Sequence, residues 1–270
     1  MRDVPGHTPI TTAFKELFRL TLAGNPQELA EAQRLRYDVY CTELQFDAPE
    51  NYPDQRETDE FEDQSWHCLL RYEPPDHPSL HRIAGHVRIV HVDANATHPE
   101  LPLVHNCRDS LNPEDPDHPA AHDPVSICEI SRLAVHSDFR RRHGEGKSAY
   151  GDLDALAAIE NHPRTFPLAA VSLFMASARI VQLAGKEHAY AMMEPQLARH
   201  SGRQGLHFRQ IGETLYYHGR WRAPFHIRFS EAIENIQQSE QLLSPLFRMA
   251  TKQIPTLRSF QQASALETER

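Results

Sequence analysis

The chain has 270 residues, 40% of them hydrophobic, which predicts a globular protein with a substantial core. Its formal net charge of -9 excludes a general affinity for nucleic acid. No apolar run approaches the roughly 20 residues that cross a membrane, and the N-terminus lacks the apolar core of a signal peptide. We therefore expect a cytoplasmic protein whose four widely spaced cysteines are reduced thiols.

Hydrophobic periodicity and turn residues predict an alternation of strands and helices. The first half should hold a strand or edge element at 14–20, a helix from 25 to 41 or 43, a loop at 46–58, a hairpin of strands at 66–72 and 82–92, an irregular excursion at 93–124 and a strand at 127–135. The second half should hold an alanine-rich helical piece at 152–160, a helix at 169–183, a strand at 188–193, a helix at 196–201, strands at 208–212 and 214–218, a turn at 219–222, a strand at 223–229 and an amphipathic helix at 230–252.

This order predicts an α/β (α+β) fold with one mixed sheet and helices on both faces. We expect a main domain over 1–229, with an insertion at 143–166, followed by a C-terminal amphipathic helix and tail over 230–270. Pro245 should kink that helix or split it in two. Three interpretations of the helix stay open: packing on the domain, packing on a second subunit as a homodimer, or peripheral contact with a membrane.

The predicted strand at 127–135 carries charged residues inside an apolar run. Glu129 and Ser131 should point to one face of the sheet and Arg132 to the other. A buried acid must be paired or used, so Glu129 is either one half of a structural salt bridge or a general base for an amine nucleophile. The basic run Arg140, Arg141, Arg142 and the following Gly144 predict a turn that either is solvated or binds an anion.

Two further patterns precede that strand. Arg36, Tyr40 and Leu44 follow at intervals of four and should share one face of the first long helix. Asp59 and Glu62 are three apart in an acidic run that is either a solvated face or part of a pocket, where Arg36 and Arg88 could neutralise them.

The histidines do not predict a metal centre. His77/His81 and His118/His122 each have a four-residue spacing, but both pairs fall in proline-rich loops where that spacing does not align side chains. We therefore predict no metal ligand.

Taken in order, these patterns resemble the autoinducer-synthase-like branch of the GNAT acyltransferases over residues 14–227. That branch includes acyl-homoserine lactone synthases and N-acyl amino acid synthases. Four motifs carry the resemblance. The helix motif R-x-x-x-F-x-x-x-L-x-W is represented by Arg36, Tyr40, Leu44 and Phe46, and the acidic motif D-x-[FY]-[DE] by Asp59, Phe61 and Glu62. The arginine on the next hairpin is Arg88, and the strand motif E-x-S-R is represented by Glu129, Ser131 and Arg132. Phe46 and Glu62 stand where lactone synthases have Trp and Asp. The arginine turn, the insertion and the C-terminal helix look more like the PEP-CTERM/exosortase system-associated N-acyltransferases.

The resemblance implies the GNAT fold and transfer of a long-chain acyl group to the amine of an amino acid or similar small molecule. The donor would be a thioester of acyl carrier protein or coenzyme A, with no permanently bound cofactor. Glu129, Ser131 and Arg132 would be catalytic. Substrate would contact Arg36, Tyr40, Phe46, Asp59, Glu62 and Arg88, while pantetheine would contact Leu133, Val135, Arg140, Arg141, Arg142 and Gly144. Two alternatives remain: a signal synthase that uses S-adenosylmethionine, and a non-catalytic acyl-binding module.

Overall fold

The structure is a computed structural model that describes residues 10–93, 96–140, 166–240 and 242–257. Within these residues the strands are β1 (Phe18–Leu22), β2 (Ser65–Tyr72), β3 (Arg82–His91), β4 (Ile127–Val135), β5 (His188–Met193), β6 (Arg209–Gln210), β7 (Leu215–Tyr217) and β8 (Arg220–Arg228). The α-helices are α1 (Ile10–Leu17), α2 (Pro26–Tyr37), α3 (Pro102–Cys107), α4 (Phe166–Leu183), α5 (Pro195–Arg203), α6 (Phe229–Gln238) and α7 (Leu243–Gln253). The last turns of α2 continue as a π-helix, Asp38–Glu43.

The strands form one sheet in the order β1-β2-β3-β4-β5-β8-β6, with β7 paired to β8. Among the described strands β4 and β5 are the parallel pair, and every other pairing is antiparallel. The parallel pairing runs only from Ile127↔His188 to Glu129↔Tyr190, although β4 continues to Val135 and β5 to Met193. The two central strands therefore separate after Glu129 and leave a cleft in the middle of the sheet.

Helices cover both faces of the sheet, as predicted. On one face α4 buries Leu173, Met175 and Ile180 in the main core, and α7 packs against α4. On the other face α2 contacts β2, β3 and β4 and buries Leu35 beside Ala134. Asn25 caps α2 by accepting a hydrogen bond from the Glu28 backbone, which confirms the predicted start of this helix.

Two expectations about local structure need correction, and a third is confirmed. Residues 14–17 belong to α1 and not to a strand, because Phe14 stacks on Phe18 one helical turn away and both rings are buried. The predicted turn at 219–222 holds for Gly219 only. Residues 220–222 begin β8, because His218 and Gly219, with φ angles of 45° and 69°, already close the hairpin. The C-terminal helix is split in two, which is one of the predicted alternatives; the break comes before Leu243, and Pro245 occupies the first turn of α7, where proline is tolerated.

Other expectations concern the ends and insertions of the chain. The excursion at 93–124 is mostly irregular but contains α3. The helical piece predicted at 152–160 lies outside the described residues. The C-terminal helices bury Ile236, Leu246 and Ala250 in the main core, which fits packing on the domain. None of the described helices has the length and apolar character needed to cross a bilayer.

Candidate active site

Six charged side chains form a closed ring beside the cleft. Arg36 contacts Glu57 and Glu62 at 2.5 and 2.7 Å, and Arg88 contacts Glu62 and Asp59 at 3.0 and 2.6 Å. Arg132 closes the ring with contacts to Glu57 at 2.8 Å and to Asp59 at 3.0 Å. Each arginine therefore bridges two carboxylates, each carboxylate bridges two arginines, and three positive charges balance three negative ones.

The ring is buried on one side and accessible on the other. The side chains of Arg36, Glu57 and Arg88 are 0% exposed, whereas those of Glu62, Asp59 and Arg132 are 13%, 15% and 16% exposed. Burial alone would raise the pKa of each carboxyl group. The neighbouring arginines outweigh burial and hold the pKa values of Glu57, Asp59 and Glu62 below their usual range, so all three are ionised at neutral pH.

Four separate parts of the chain build the ring. Arg36 comes from α2, Arg88 from β3 and Arg132 from β4, while the acids come from the segment before β2. Sequence reasoning predicted that Asp59 and Glu62 would gather near Arg36 and Arg88, and the structure brings all four together. It missed Glu57, although Glu57 and Asp59 are two residues apart and an extended segment directs such side chains to one side.

Arg132 occupies a bulge in β4. Its φ angle of 53° lies in the left-handed region, which is uncommon for a residue with a side chain. The register shifts here, so that Arg132 and Leu133 lie opposite the single residue Val87 of β3. The predicted alternation of Ser131 and Arg132 to opposite faces is therefore wrong: the Arg88 Nε donates to Ser131 Oγ at 3.1 Å, and Arg132 reaches the Asp59 bound to Arg88.

Two buried histidines hold this bulge from behind. The backbone carbonyl of Arg132 can only accept a hydrogen bond, so His86 Nδ1 donates to it at 3.1 Å. Burial lowers the pKa of both His86 and His67, which leaves both rings neutral. His86 Nε2 then accepts from His67 Nδ1 at 3.2 Å. Arg132 is thus held by two sets of contacts: its side chain binds the carboxylates of the ring, and its backbone carbonyl accepts a hydrogen bond from His86.

Glu129 lies where β4 and β5 begin to separate. It is buried, and its Oε2 accepts a hydrogen bond of 2.7 Å from the backbone N–H of Leu103. Burial raises its pKa to about 7, against the opposing effects of that hydrogen bond and of Arg88 and Arg132. Glu129 is outside the ring and forms no ion pair with any described residue, so the salt-bridge alternative is not the arrangement found in this part of the chain. A carboxyl group with a pKa near 7 suits proton transfer at neutral pH.

The cleft between the strands is lined mostly by apolar side chains. Residues 130–133 of β4 form one wall and 191–193 of β5 form the other, and the remaining lining side chains are Tyr40, Phe46, Phe174, Glu194, Leu197, Phe208 and Arg222. Tyr40 donates a hydrogen bond of 2.8 Å from its hydroxyl to the backbone carbonyl of Leu133. Predicted residues Tyr40, Phe46, Ser131, Arg132 and Leu133 therefore meet at one cavity.

Arg222 is a cleft residue that sequence reasoning missed. Its guanidinium lies over the ring of Phe46, 5.6 Å from the centroid, and burial lowers its pKa. The run 219–222 was predicted as a turn, which gave no reason to place a cation in the cleft. Arg220 and Arg222 are separated by Trp221, and this alternation indicates a strand. In a strand the two arginines lie on the same face.

The predicted pantetheine residues are placed less uniformly. Leu133 lines the cleft, but Val135 is buried and pairs with Gly85 of β3. Arg140 is buried and forms an ion pair with Glu43, so an incoming phosphate does not reach its guanidinium in this arrangement. The predicted phosphate contact is therefore not supported for Arg140. Arg141, Arg142 and Gly144 lie outside the described residues.

Residues 35–146 match the model of an acetyltransferase (GNAT) domain. This segment carries the whole ring, the bulge and Glu129. The match bears out the predicted class of enzyme, an N-acyltransferase. A search of curated protein sequences finds no match.

Three solved structures share the fold at 17% sequence identity. TofI, solved in a ternary complex with an inhibitor and MTA, has a TM-score of 0.55, and the match covers 80% of this chain and 95% of TofI. The AHL synthase LasI has a TM-score of 0.52, with 78% and 90% covered. The CoA-dependent acyl-homoserine lactone synthase BjaI, solved with SAM and isopentyl-CoA, has a TM-score of 0.50, with 94% and 99% covered.

The chain has a GNAT fold. At these identities the likeness establishes the architecture alone, and it confirms the fold predicted from the sequence. The activities named for the three structures are properties of those proteins.

Because of the ring, loss of a buried acid should destabilise the protein more than loss of an exposed acid. Glu57→Gln should lower the free energy of unfolding by about 3–5 kcal/mol, because it removes one partner from a buried ion pair and leaves two arginines undercompensated. Urea unfolding measures this change. Asp54→Asn in the same loop is the control, since Asp54 pairs with Arg56 in solvent, and it should change little. Equal stabilities for the two variants would show that the ring is energetically unimportant.

Proposed function

We propose that the protein transfers a long-chain acyl group from a thioester of acyl carrier protein or coenzyme A to the amine of an amino acid or similar small molecule. The observation that carries this proposal is the separation of β4 from β5 beside Glu129. It opens an apolar cleft next to a carboxyl group whose pKa is raised to about 7. The sequence resemblance to exosortase-associated N-acyltransferases supports the choice of a long acyl chain.

The cleft suits the donor for two reasons. A strand that has lost its neighbour offers backbone N–H and C=O groups, and an extended chain with amides can pair with them as an added strand would. The pantetheine arm of either donor is such a chain, and it would run along residues 130–133. The apolar side chains Phe174, Met193 and Leu197 line the same cleft and would contact the acyl group.

Glu129 would act as the general base. The amine nitrogen attacks the thioester carbonyl carbon and its proton passes to the Glu129 carboxylate, directly or through one water. The attack forms the C–N bond, and collapse of the tetrahedral intermediate then restores the carbonyl and breaks the C–S bond. The departing thiolate takes the proton held by Glu129 and leaves as the carrier thiol. Backbone N–H groups of β4 would stabilise the oxyanion. No covalent enzyme intermediate is needed.

The accessible edge of the ring would receive the acceptor. Asp59 and Arg132 are partly exposed, lie 3.0 Å apart and carry opposite charges. An amino acid brings an ammonium and a carboxylate at a similar separation, so the former would approach Asp59 and the latter Arg132. Arg36 and Glu57 are fully buried and would position this edge without touching substrate.

An assay with purified protein tests the proposal. Acyl carrier protein and coenzyme A thioesters of several chain lengths, each offered with a panel of amino acids, should release free thiol and yield an N-acyl product. Glu129→Gln and Arg132→Ala should each lower kcat/KM by about a hundredfold, in the range expected for a general base and a charged positioning group. Arg108→Ala is the control, because Arg108 forms an exposed ion pair with Glu100, and it should retain full activity.

Two outcomes would contradict the proposal. Absence of thiol release with every amine, while lipid is retained on the protein, would favour the non-catalytic acyl-binding module. Release of methylthioadenosine when S-adenosylmethionine is the acceptor would instead favour a lactone-type signal synthase. The second result would keep Glu129 as base and change only the acceptor.

Glu129 also predicts the pH dependence of the reaction. A carboxyl group with its pKa raised to about 7 is protonated and inactive as a base below that pH. We expect kcat/KM to rise with pH through about 7 and then level off. This rise of kcat/KM with pH should disappear in Glu129→Gln and persist in Glu50→Gln, which replaces an exposed acid. If kcat/KM of Glu129→Gln still rises with the same midpoint pH, another group is the base.

A further inference from the structure

Three histidines and an aspartate from distant parts of the chain converge at the far end of β5. Asp117 and His122 come from the excursion between β3 and β4, His188 is the first residue of β5 and His226 lies on β8. One ligand atom from each of the four residues lies within 4.8 Å of the other three. His188 is three residues before the cleft, about 10 Å along the strand, so this cluster is separate from the candidate active site.

We propose that Asp117, His122, His188 and His226 form a binding site for a divalent transition-metal ion of the Zn²⁺ type. Such an ion bound tetrahedrally at about 2.0–2.1 Å holds its ligand atoms roughly 3.3 Å apart. One candidate ligand atom from each of the four residues lies within 4.8 Å of the other three, so small side-chain rotations would bring the set to that spacing. An ion would take only one nitrogen of His226, either Nε2, which is 3.0 Å from His188 Nδ1, or Nδ1, which is 3.4 Å from Asp117 Oδ2.

The contacts within the cluster do not satisfy its polar atoms. His122 Nε2 is shielded from solvent and has no hydrogen-bond partner among the described residues. Its distance of 3.8 Å from Asp117 Oδ1 is too long for a hydrogen bond but allows both atoms to bind one ion. A buried imidazole nitrogen without a partner is unfavourable, and a metal ion would satisfy it.

The donor set selects the kind of ion. Imidazole nitrogens with one carboxylate oxygen favour Zn²⁺, Co²⁺, Ni²⁺ or Cu²⁺ over Mg²⁺ or Ca²⁺, which prefer all-oxygen sites.

Among the described residues, Arg209 is the arginine or lysine in direct contact with a proposed ligand, and its charge is already compensated. It contacts Asp115 at 2.6 Å and also pairs with Asp117 through Oδ2, which leaves Oδ1 facing His122. Arg209, Asp115 and Asp117 together carry one net negative charge, so a divalent ion beside them is attracted and not repelled.

The ion would fasten the long excursion to the sheet. Two ligands belong to the loop and two to neighbouring strands, so binding would cross-link segments that are far apart in sequence. His122 and His188 now stack nearly parallel, with centroids 3.6 Å apart and an interplanar angle of 15°. A tetrahedral ion lies in the plane of each ligating ring, so binding should turn these two rings out of their stack.

Metal titration of the chelator-treated full chain tests the proposal. Wild-type protein should bind one equivalent of Zn²⁺ and melt at a higher temperature with it. Co²⁺ in its place should give the intense visible absorption of a tetrahedral site. His122→Ala and His188→Ala should each weaken Zn²⁺ binding beyond the roughly tenfold to hundredfold loss that removal of an outer-shell partner causes.

His77→Ala is the matched control, because His77 is exposed in another proline-rich loop and should leave binding unchanged. The proposal is overturned if the wild-type chain binds no stoichiometric Zn²⁺, or if the double variant of His122 and His188 binds it as tightly as wild type. Circular dichroism checks that each variant is folded. Should a variant unfold, the Co²⁺ spectrum of the wild-type protein decides, since a weak octahedral spectrum would contradict the proposed ligand set.

Discussion

The closed ring of three arginines and three carboxylates is the constraint on which the rest of the candidate site depends. Burying six charges is unfavourable unless each is paired, and here every one has two partners of opposite sign. The ring adds little to stability relative to apolar packing, but it fixes α2, the loop before β2, β3 and β4 relative to one another. Its exposed edge, Asp59 and Arg132, is thereby held rigid beside the cleft.

The bulge in β4 connects that ring to the reaction chemistry. A left-handed backbone at Arg132 is strained, and the ring contacts of its side chain together with the His86 bond to its carbonyl compensate for the strain. The same bulge ends the regular alternation of β4 where β5 turns away. Ser131 and Arg132 consequently both line the cleft, whereas strict alternation would direct them to opposite faces of the sheet.

The sequence predicted the order and class of nearly all the central elements, because their apolar periodicity is strong. It also grouped Arg36, Asp59, Glu62 and Arg88. It could not predict the bulge, since no glycine marks Arg132 and only tertiary contacts impose its conformation. Glu57 was hidden in a polar loop and Arg222 in an apparent turn. His122, His188 and His226 are far apart in sequence, so only the pairing of β5 with β8 brings two of them together.

A crystal structure of the protein with a non-hydrolysable thioether analogue of a long-chain acyl-coenzyme A would show whether the donor thioester occupies the cleft between β4 and β5. We expect pantetheine along residues 130–133 and the reacting carbon beside Glu129 and Arg132. Density for the analogue elsewhere, such as the groove lined by Glu31, Arg34 and Arg82, with none between the strands, would contradict it.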